Sequence, residues 1–377
     1  MADLSCKILG NVFSSPVWIG SGSLTENKER IESLFESRAG AIIARTTRLK
    51  YAKGRKTHPS YHLDINKKEK WIRNCEWTGN TISYWEPYLK EMSKQGRIIM
   101  SVSGREISEC LKVCKIIDKY NFPFIEINIS CAHSNEAHGF ITRNAEHISL
   151  LVKTLKENIK TPIALKLGHS DYIVNLAKVA EEAGADAIVA INTYGPVIDF
   201  DITNGKPKLT LGINSGRGGL SGRTIFHIAL TDVVSLRQNL NIPIIACGGV
   251  AEPEDAIKMI MAGASAVQVY SAVHIAGKQG VSFIDNFTKD LKSWMDKYGY
   301  KDINSLRNIL LPKLLRDHQM KVVIPKYNEK ICIKCKACID ICLENAVSFS
   351  KGEIIINKTK CIGCGACTSV CPTKALK

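Results

Sequence analysis

The chain contains no stretch approaching the ~20 consecutive apolar residues that a membrane-spanning helix needs, so no membrane role is expected. Its first residues, Met1-Ala2-Asp3-Leu4-Ser5-Cys6-Lys7, lack the basic-then-apolar order of a secretory leader, and Lys374-Ala375-Leu376-Lys377 is no lipidation box. A cytoplasmic location is the expectation. There is no dense basic arm either: the formal net charge is +15, but the lysines are spread along all 377 residues. That distribution argues against nucleic-acid binding and for a surface that steers an acidic soluble partner. Also missing is a dinucleotide fingerprint, because Gly20-Ser21-Gly22 has neither the third glycine nor the downstream acid.

What is abundant is cysteine. Of 14 cysteines, eight fall between Cys332 and Cys371, while Cys6, Cys75, Cys110, Cys114, Cys131 and Cys247 are scattered. A disulfide framework suits small secreted chains, not a chain of this size expected in a reducing compartment. Cys332-Ile-Lys-Cys335-Lys-Ala-Cys338-Ile-Asp-Ile-Cys342 has C-x2-C-x2-C-x3-C spacing, and Cys361-Ile-Gly-Cys364-Gly-Ala-Cys367-Thr-Ser-Val-Cys371-Pro372 repeats it. Three closely spaced thiolates wrap one corner of a cubane cluster, and the fourth, carried away by a short helix, ligates the other cluster. Cys332, Cys335, Cys338 and Cys371 are thus expected to hold one [4Fe–4S] cluster, and Cys342, Cys361, Cys364 and Cys367 a second. Zinc would take two ligands from each of two separated pairs and has no use for two complete runs of four. Leu343 stands after Cys342, where proline is common in such runs; it removes no ligand.

Upstream, short apolar runs alternate with amphipathic helical stretches, the pattern of βα units and a parallel sheet. The expected strands are Val17–Ser21, Ala41–Thr46, Ile98–Val102, Phe124–Asn128, Ile163–Lys166, Ala187–Asn192, Ile244–Cys247 and Ala266–Val269. The expected helices include Glu106–Tyr120, Ala145–Glu157, Tyr172–Ala183 and Ile225–Asn239. Eight strands so spaced predict an α/β chain built on a (β/α)8 TIM barrel over residues 1–310, then a linker at 311–327 and a small α+β two-cluster domain at 328–377. Barrels carry function at the C-terminal ends of their strands, and those ends are polar here. They read Gly20-Ser21-Gly22, Arg45-Thr46, Asn128-Ile-Ser130-Cys131, Lys166, Asn192-Thr193, Gly248-Gly249 and Tyr270-Ser271. Gly218-Gly219 is expected to open a helix. Together with Gly248-Gly249 and Ser271 it would supply the bare N–H groups of a phosphate cradle for a mononucleotide cofactor.

These residues resemble the dihydroorotate dehydrogenase/dihydropyrimidine dehydrogenase superfamily over essentially the whole chain. Glu126-Ile-Asn128-Ile-Ser130-Cys131-Ala-His133 is similar to its catalytic loop. Leu165-Lys166, Ile191-Asn192-Thr193, Cys247-Gly248-Gly249 and Val267-Gln-Val-Tyr270-Ser271 are similar to its other blocks. The tail resembles a bacterial two-cluster ferredoxin. With Asn74-Cys75-Glu76 and Tyr84-Trp85 it looks most like the FMN- and cluster-bearing catalytic subunit of bacterial NAD-dependent dihydropyrimidine dehydrogenase.

The resemblance implies FMN held by Gly20, Ser21, Gly22, Arg45, Thr46, Asn128, Lys166, Gly218, Gly219, Cys247, Gly248, Gly249, Tyr270 and Ser271. It implies Cys131 as the acid/base at a ring carbon, a role suited to a thiol whose ordinary pKa is about 8.5. Asn74, Glu76, Asn128, Ser130, Asn192 and Thr193 would meet the edge of a pyrimidine, since amides both donate and accept. The implied activity is interconversion of a uracil- or thymine-like ring and its 5,6-dihydro form, with electrons relayed through two [4Fe–4S] clusters. A separate flavoprotein carrying FAD and the NAD(P)H site, or a ferredoxin, would exchange electrons with it in a homodimer or heterotetramer. The alternatives are a dihydroorotate dehydrogenase with a fused ferredoxin domain and a non-catalytic electron carrier. Two departures stand out: Arg45 where the family has lysine, and Ala132 where it has proline.

Overall fold

The structure is a computed structural model. It describes residues 1–51, 59–63, 71–74 (73 and 74 by backbone alone), 79–130, 144–209, 216–314 and 322–377. It divides into two compact units, Met1–Lys313 and Leu314–Lys377. Leu311–Lys313, placed in the linker by sequence, forms a 3-10 turn of the first unit. Among the described residues no helix is long and apolar enough to cross a membrane.

The first unit is a closed barrel of eight parallel strands. In chain order they are β1 (Val17–Ile19), β2 (Ile42–Ile43), β3 (Ile98–Val102), β4 (Ile125–Asn128), β5 (Ile163–Leu167), β6 (Ala187–Ala190), β7 (Ile244–Cys247) and β8 (Ala266–Val269). Each pairs with its sequence neighbour and β8 closes onto β1. The strands are short continuous apolar runs because both faces are covered: one packs on the helices, the other fills the barrel. The helices form where apolar residues recur at i, i+3, i+4 and i+7. In Ile107–Ile117 the buried set is Cys110, Val113, Cys114 and Ile117. Ala145–Asn158 starts where Asn144 accepts hydrogen bonds from the N–H groups of Glu146 and His147.

Side-chain alternation divides the barrel interior into two levels. The lower level is apolar: Trp18, Ala41, Ile43, Ile99, Phe124, Ala164, Val189, Ile245 and Ala266 form one buried cluster. An antiparallel hairpin, Cys6–Ile8 with Asn11–Phe13, precedes β1 and adds Cys6, Ile8 and Phe13 to it, with the Phe13 and Trp18 rings 4.8 Å apart. The upper level, two residues further along the same strands, is polar: Ser101, Glu126, Lys166 and Gln268, all buried.

A second sheet was not apparent in the sequence. Tyr194–Ile198, Arg217–Ser221, Trp71–Asn74 and Ser60–Leu63 form a four-stranded antiparallel sheet in that spatial order. Its strands come from the connections that follow β2 and β6, so it belongs to the C-terminal face of the barrel. Gly218-Gly219 therefore does not open a helix; it lies within a strand, where Gly219 pairs with Arg73 and Gly218 with Val197. The helix begins later, at Phe226, after a 3-10 turn at Arg223–Ile225.

The second unit contains two short helices, Ala337–Asp340 and Ala366–Ser369, and a hairpin of Val347–Ser350 with Glu353–Ile356. A bridge between Tyr327 and Leu376 joins its ends. The two cysteine runs are conformational copies. Lys334 and Lys336 have φ of 57° and 62°, and Gly363 and Gly365, at the equivalent positions, have 72° and 75°. The left-handed turns that wrap the thiols thus fall on glycine in one run and on lysine in the other.

Candidate active site and cluster-binding unit

A cavity opens at the C-terminal face of the barrel. It is lined by Gly20, Ser21, Lys166, Asn192, Thr193, Ser221, Gly222, Cys247, Gly248, Gly249, Gln268, Tyr270 and Ser271, with Ile191, Ile225 and Val250 as its apolar lining. Of the fourteen residues expected around the cofactor, Gly20, Ser21, Lys166, Cys247, Gly248, Gly249, Tyr270 and Ser271 line it. Gly22, Arg45, Thr46, Asn128, Gly218 and Gly219 do not. Gly22 packs on Tyr270 instead; a Cβ there would lie 2.0 Å from the Tyr270 ring. Gly218 and Gly219 lie earlier on the strand that Ser221 ends, and it is Ser221 and the next residue, Gly222, that line the cavity.

Arg45 is buried, and its guanidinium donates to Ser23 Oγ at 2.5 Å, while Ser23 in turn meets the Tyr61 hydroxyl. The planar fork of arginine is thereby engaged beside the cavity rather than in its lining. An aromatic wall stands over the end of β8. The Trp71 and His274 rings are 4.7 Å apart, Tyr61 and His274 5.4 Å, and Tyr270 and His274 5.7 Å.

The polar residues at the strand ends are joined in one hydrogen-bonded array. The Thr46 N–H donates to Ser21 Oγ (3.1 Å), and Asn128 Nδ2 donates to Thr46 Oγ1 (3.1 Å). Asn192 Nδ2 donates to Asn128 Oδ1 (3.2 Å) and to the Ser130 carbonyl. Ser130 Oγ donates to the Lys166 carbonyl at 3.0 Å. Thr46 and Asn128, though not in the lining, thus orient Ser21 and Asn192, which are. Of the residues expected to meet substrate, Asn128, Ser130, Asn192 and Thr193 are brought together. Asn74 ends a strand of the upper sheet, its side chain not described, and Cys131 and Glu76 lie outside the described residues, as does His133.

Sequence reasoning assigned no role to Glu126 or Gln268, although both fall in quoted blocks. The usable signal was period two: Glu126 shares a strand face with Asn128, and Gln268 with Tyr270.

In the second unit, Cys332, Cys335, Cys338 and Cys371 line one cavity together with Tyr327, Ile354 and Leu376. Three of these cysteines come from the first run and one from the end of the second. Burial raises the Cys367 thiol above its ordinary pKa, helped by the neighbouring Cys342, Cys361 and Cys364, the remaining four-cysteine set.

Comparison with known proteins assigns both units. The family model described as dihydroorotate dehydrogenase matches residues 3–295, and one for a 4Fe-4S dicluster domain matches residues 331–375. The chain belongs to the dihydroorotate dehydrogenase family. Among its relatives is the dihydroorotate dehydrogenase B (NAD(+)) catalytic subunit of Methanocaldococcus jannaschii, 32% identical over 73% of this chain and 88% of that protein. The same-named subunit of Archaeoglobus fulgidus is 30% identical over 73% of this chain and 89% of its own length. That of Petrotoga mobilis is 29% identical over 82% of this chain and the whole of its own. The chain is accordingly an oxidoreductase acting on CH–CH bonds, a TIM barrel joined to a 4Fe-4S ferredoxin-like domain. The expected likeness to dihydropyrimidine dehydrogenase in particular is not what these relatives support; they carry the name of the dihydroorotate enzyme.

The family binds FMN, and the cavity fits that group. Ser221 Oγ is buried at its edge with no hydrogen-bond partner among the described residues, an acceptor or donor held in reserve. Gly249, at φ 76°, lies so close to the start of the preceding helix, Phe226–Asn239, that a Cβ would come within 2.5 Å of Phe226 Cα. The Gly248-Gly249 turn at the cavity wall can pack on that helix start only because no side chain intervenes.

Proposed function

We propose that this chain interconverts a pyrimidine ring and its 5,6-dihydro form at an FMN site, with dihydroorotate and orotate as the first pair to test. The observation that carries the reading is the array of Thr46, Asn128, Ser130 and Asn192, hydrogen-bonded to one another at the mouth of a glycine-lined cavity. Amides fixed in this way present donors and acceptors in a set order, which is what the alternating N–H and C=O edge of a pyrimidine requires. Bound FMN would supply the hydride acceptor or donor. Gly20, Ser21, Ser221, Gly222, Gly248, Gly249 and Ser271 would hold it, with Lys166 as the cationic contact. Asn128 and Asn192 would orient the ring, and Cys131 would move the proton at the adjoining ring carbon. Glu76 and Asn74 would complete the recognition of the ring.

Cys332, Cys335, Cys338 and Cys371 would bind one [4Fe–4S] cluster, and Cys342, Cys361, Cys364 and Cys367 the other. The dihydroorotate reading rests on the relatives' names, which also specify NAD(+) and a catalytic subunit. By analogy, a separate flavoprotein subunit would mediate exchange with the nicotinamide. A uracil or thymine substrate is the second reading, favoured by Asn74-Cys75-Glu76 and His133.

Anaerobic steady-state assays with dihydroorotate, orotate, uracil and thymine separate these readings. Turnover of dihydroorotate or orotate alone is expected. Turnover of uracil or thymine alone would shift the assignment, and turnover of none would remove it. Cys131→Ala should abolish turnover while the bound flavin stays reducible.

A further inference from the structure

The upper level of the barrel holds a buried carboxylate that the proposed reaction does not use. Glu126 on β4 is wholly buried, and its carboxylate lies 3.5 Å from the Lys166 ammonium on β5. Ser101 Oγ on β3 donates to Glu126 Oε1 at 3.0 Å, and Gln268 Nε2 on β8 donates to Oε2 at 2.7 Å. Lys166 Nζ donates to Gln268 Oε1 at 2.9 Å. The Gln268 amide can be read only one way, since reversal would set its NH2 against the ammonium and its oxygen against the carboxylate. Lys166 and Gln268 line the cavity; Glu126 stands behind them. The ammonium is thus held by a hydrogen bond to Gln268 and an ion pair with Glu126, at the wall of the cavity.

We propose that Glu126 is a positioning residue: it locks Gln268 and Lys166 into a single arrangement against the cofactor cavity, and its negative charge limits how strongly Lys166 stabilises the reduced flavin. The inference rests on the reading of this cavity as the FMN site. A buried charge interacts strongly with its neighbours because no water screens it. An unopposed Lys166 would favour the electron-rich form of the cofactor and raise its reduction potential. With Glu126 in place the positive charge is partly compensated and the potential is held down. The carboxylate touches neither substrate nor cofactor; it acts through the lysine and the glutamine.

The test is an anaerobic spectroelectrochemical titration of the holoprotein, followed at the flavin bands, for wild type, Glu126→Gln, Glu126→Asp and Ser101→Ala. Glu126→Gln should raise the flavin potential by at least about 30 mV, a tenfold change in the two-electron equilibrium. Glu126→Asp, which keeps the charge, should return it close to the wild-type value. Ser101→Ala removes a donor that competes with Lys166 for the same carboxylate, and should move the potential the opposite way; it serves if Glu126→Gln does not fold. On a Lys166→Met background Glu126→Gln should have no effect. A flavin-loaded Glu126→Gln protein with unchanged potential would overturn the proposal, as would an equal shift in the Lys166→Met background or an unmoved potential in Ser101→Ala. Wild-type protein without flavin would instead overturn the reading of the cavity.

Discussion

Met1–Lys313 buries two continuous apolar clusters, one inside the barrel and one between barrel and helices, whereas the core of Leu314–Lys377 is Cys338, Val347, Ile354, Cys367 and Leu376. Two of those five are cysteines of the paired runs. Large apolar side chains of the second unit lie on its surface instead: Leu343 is 92% exposed and Ile333 63%. A domain this small cannot bury enough apolar area to offset the entropy of ordering its chain, and staples of another kind must make up the difference. The barrel is held by packing, and the second unit would be held by the clusters proposed for its thiols. The same residue type therefore has two physical roles. In the barrel Cys110 and Cys114 are core hydrophobes; in the tail, cysteine is structural because of its chemistry.

Removal of iron is the severest test of this contrast. Chelation under anaerobic conditions should release residues 322–377 to fast amide exchange while the barrel amides stay protected, because ligand binding and folding are one equilibrium in such modules. Equal protection of both units after iron loss would erase the distinction. The converse experiment is Trp18→Ala. Trp18 is wholly buried between Phe13 and Phe124, and its truncation should cost the barrel about 3–5 kcal/mol in denaturant unfolding. Iron content should not change. A smaller, local effect is expected from Gly249→Ala, where a Cβ meets Phe226 backbone at 2.5 Å. Overpacking of about 1–3 kcal/mol should appear as weakened flavin retention with both clusters intact, read from flavin-to-iron ratios.

Cysteine reactivity sharpens the comparison further. Burial pushes the Cys6 thiol up to about 12, well above the ordinary thiol range. Because the folded-state value is the higher one, its contribution to stability is intact below pH 9 and is lost as pH rises toward 12. Native protein should leave Cys6 unalkylated at pH 8, while the exposed Cys335 and Cys364 should react once iron is gone. Modification of Cys6 at the rate of Cys335 would contradict this. The smallest effect is Lys334→Gly. Lys334 holds φ 57°, a conformation that costs a residue with a Cβ about 1–2 kcal/mol. Glycine should stabilise the second unit by up to about 1 kcal/mol, measured on the cluster-loaded protein.

How far the sequence could be read depended on distance along the chain. Two runs of four cysteines state their purpose within eleven residues each, because cluster ligation is set by local spacing. The barrel strands were legible for a related reason: burial on both faces forces a short apolar run, and Ile98–Val102, Ile244–Cys247 and Ala266–Val269 fall where the pattern places them. The antiparallel sheet of Ser60–Leu63, Trp71–Asn74, Tyr194–Ile198 and Arg217–Ser221 was not legible. Its central pairing, Trp71–Asn74 with Arg217–Ser221, spans more than a hundred residues, and Tyr194–Ile198 alternates between exposed and half-buried positions with no strong apolar signal. That is why the sequence pattern points to a helix opening at Gly218-Gly219, where the structure has a strand.

The sequence by itself determined the kind of structure, a parallel barrel followed by a cysteine-rich module, since periodicity and spacing are properties of neighbours. Only the tertiary structure decided which polar groups meet. Ser101, Glu126, Lys166 and Gln268 come from four strands and are ordinary residues in isolation. Closure of the barrel links them through contacts of 3.5 Å or less at buried positions, and there a charge must find its partner.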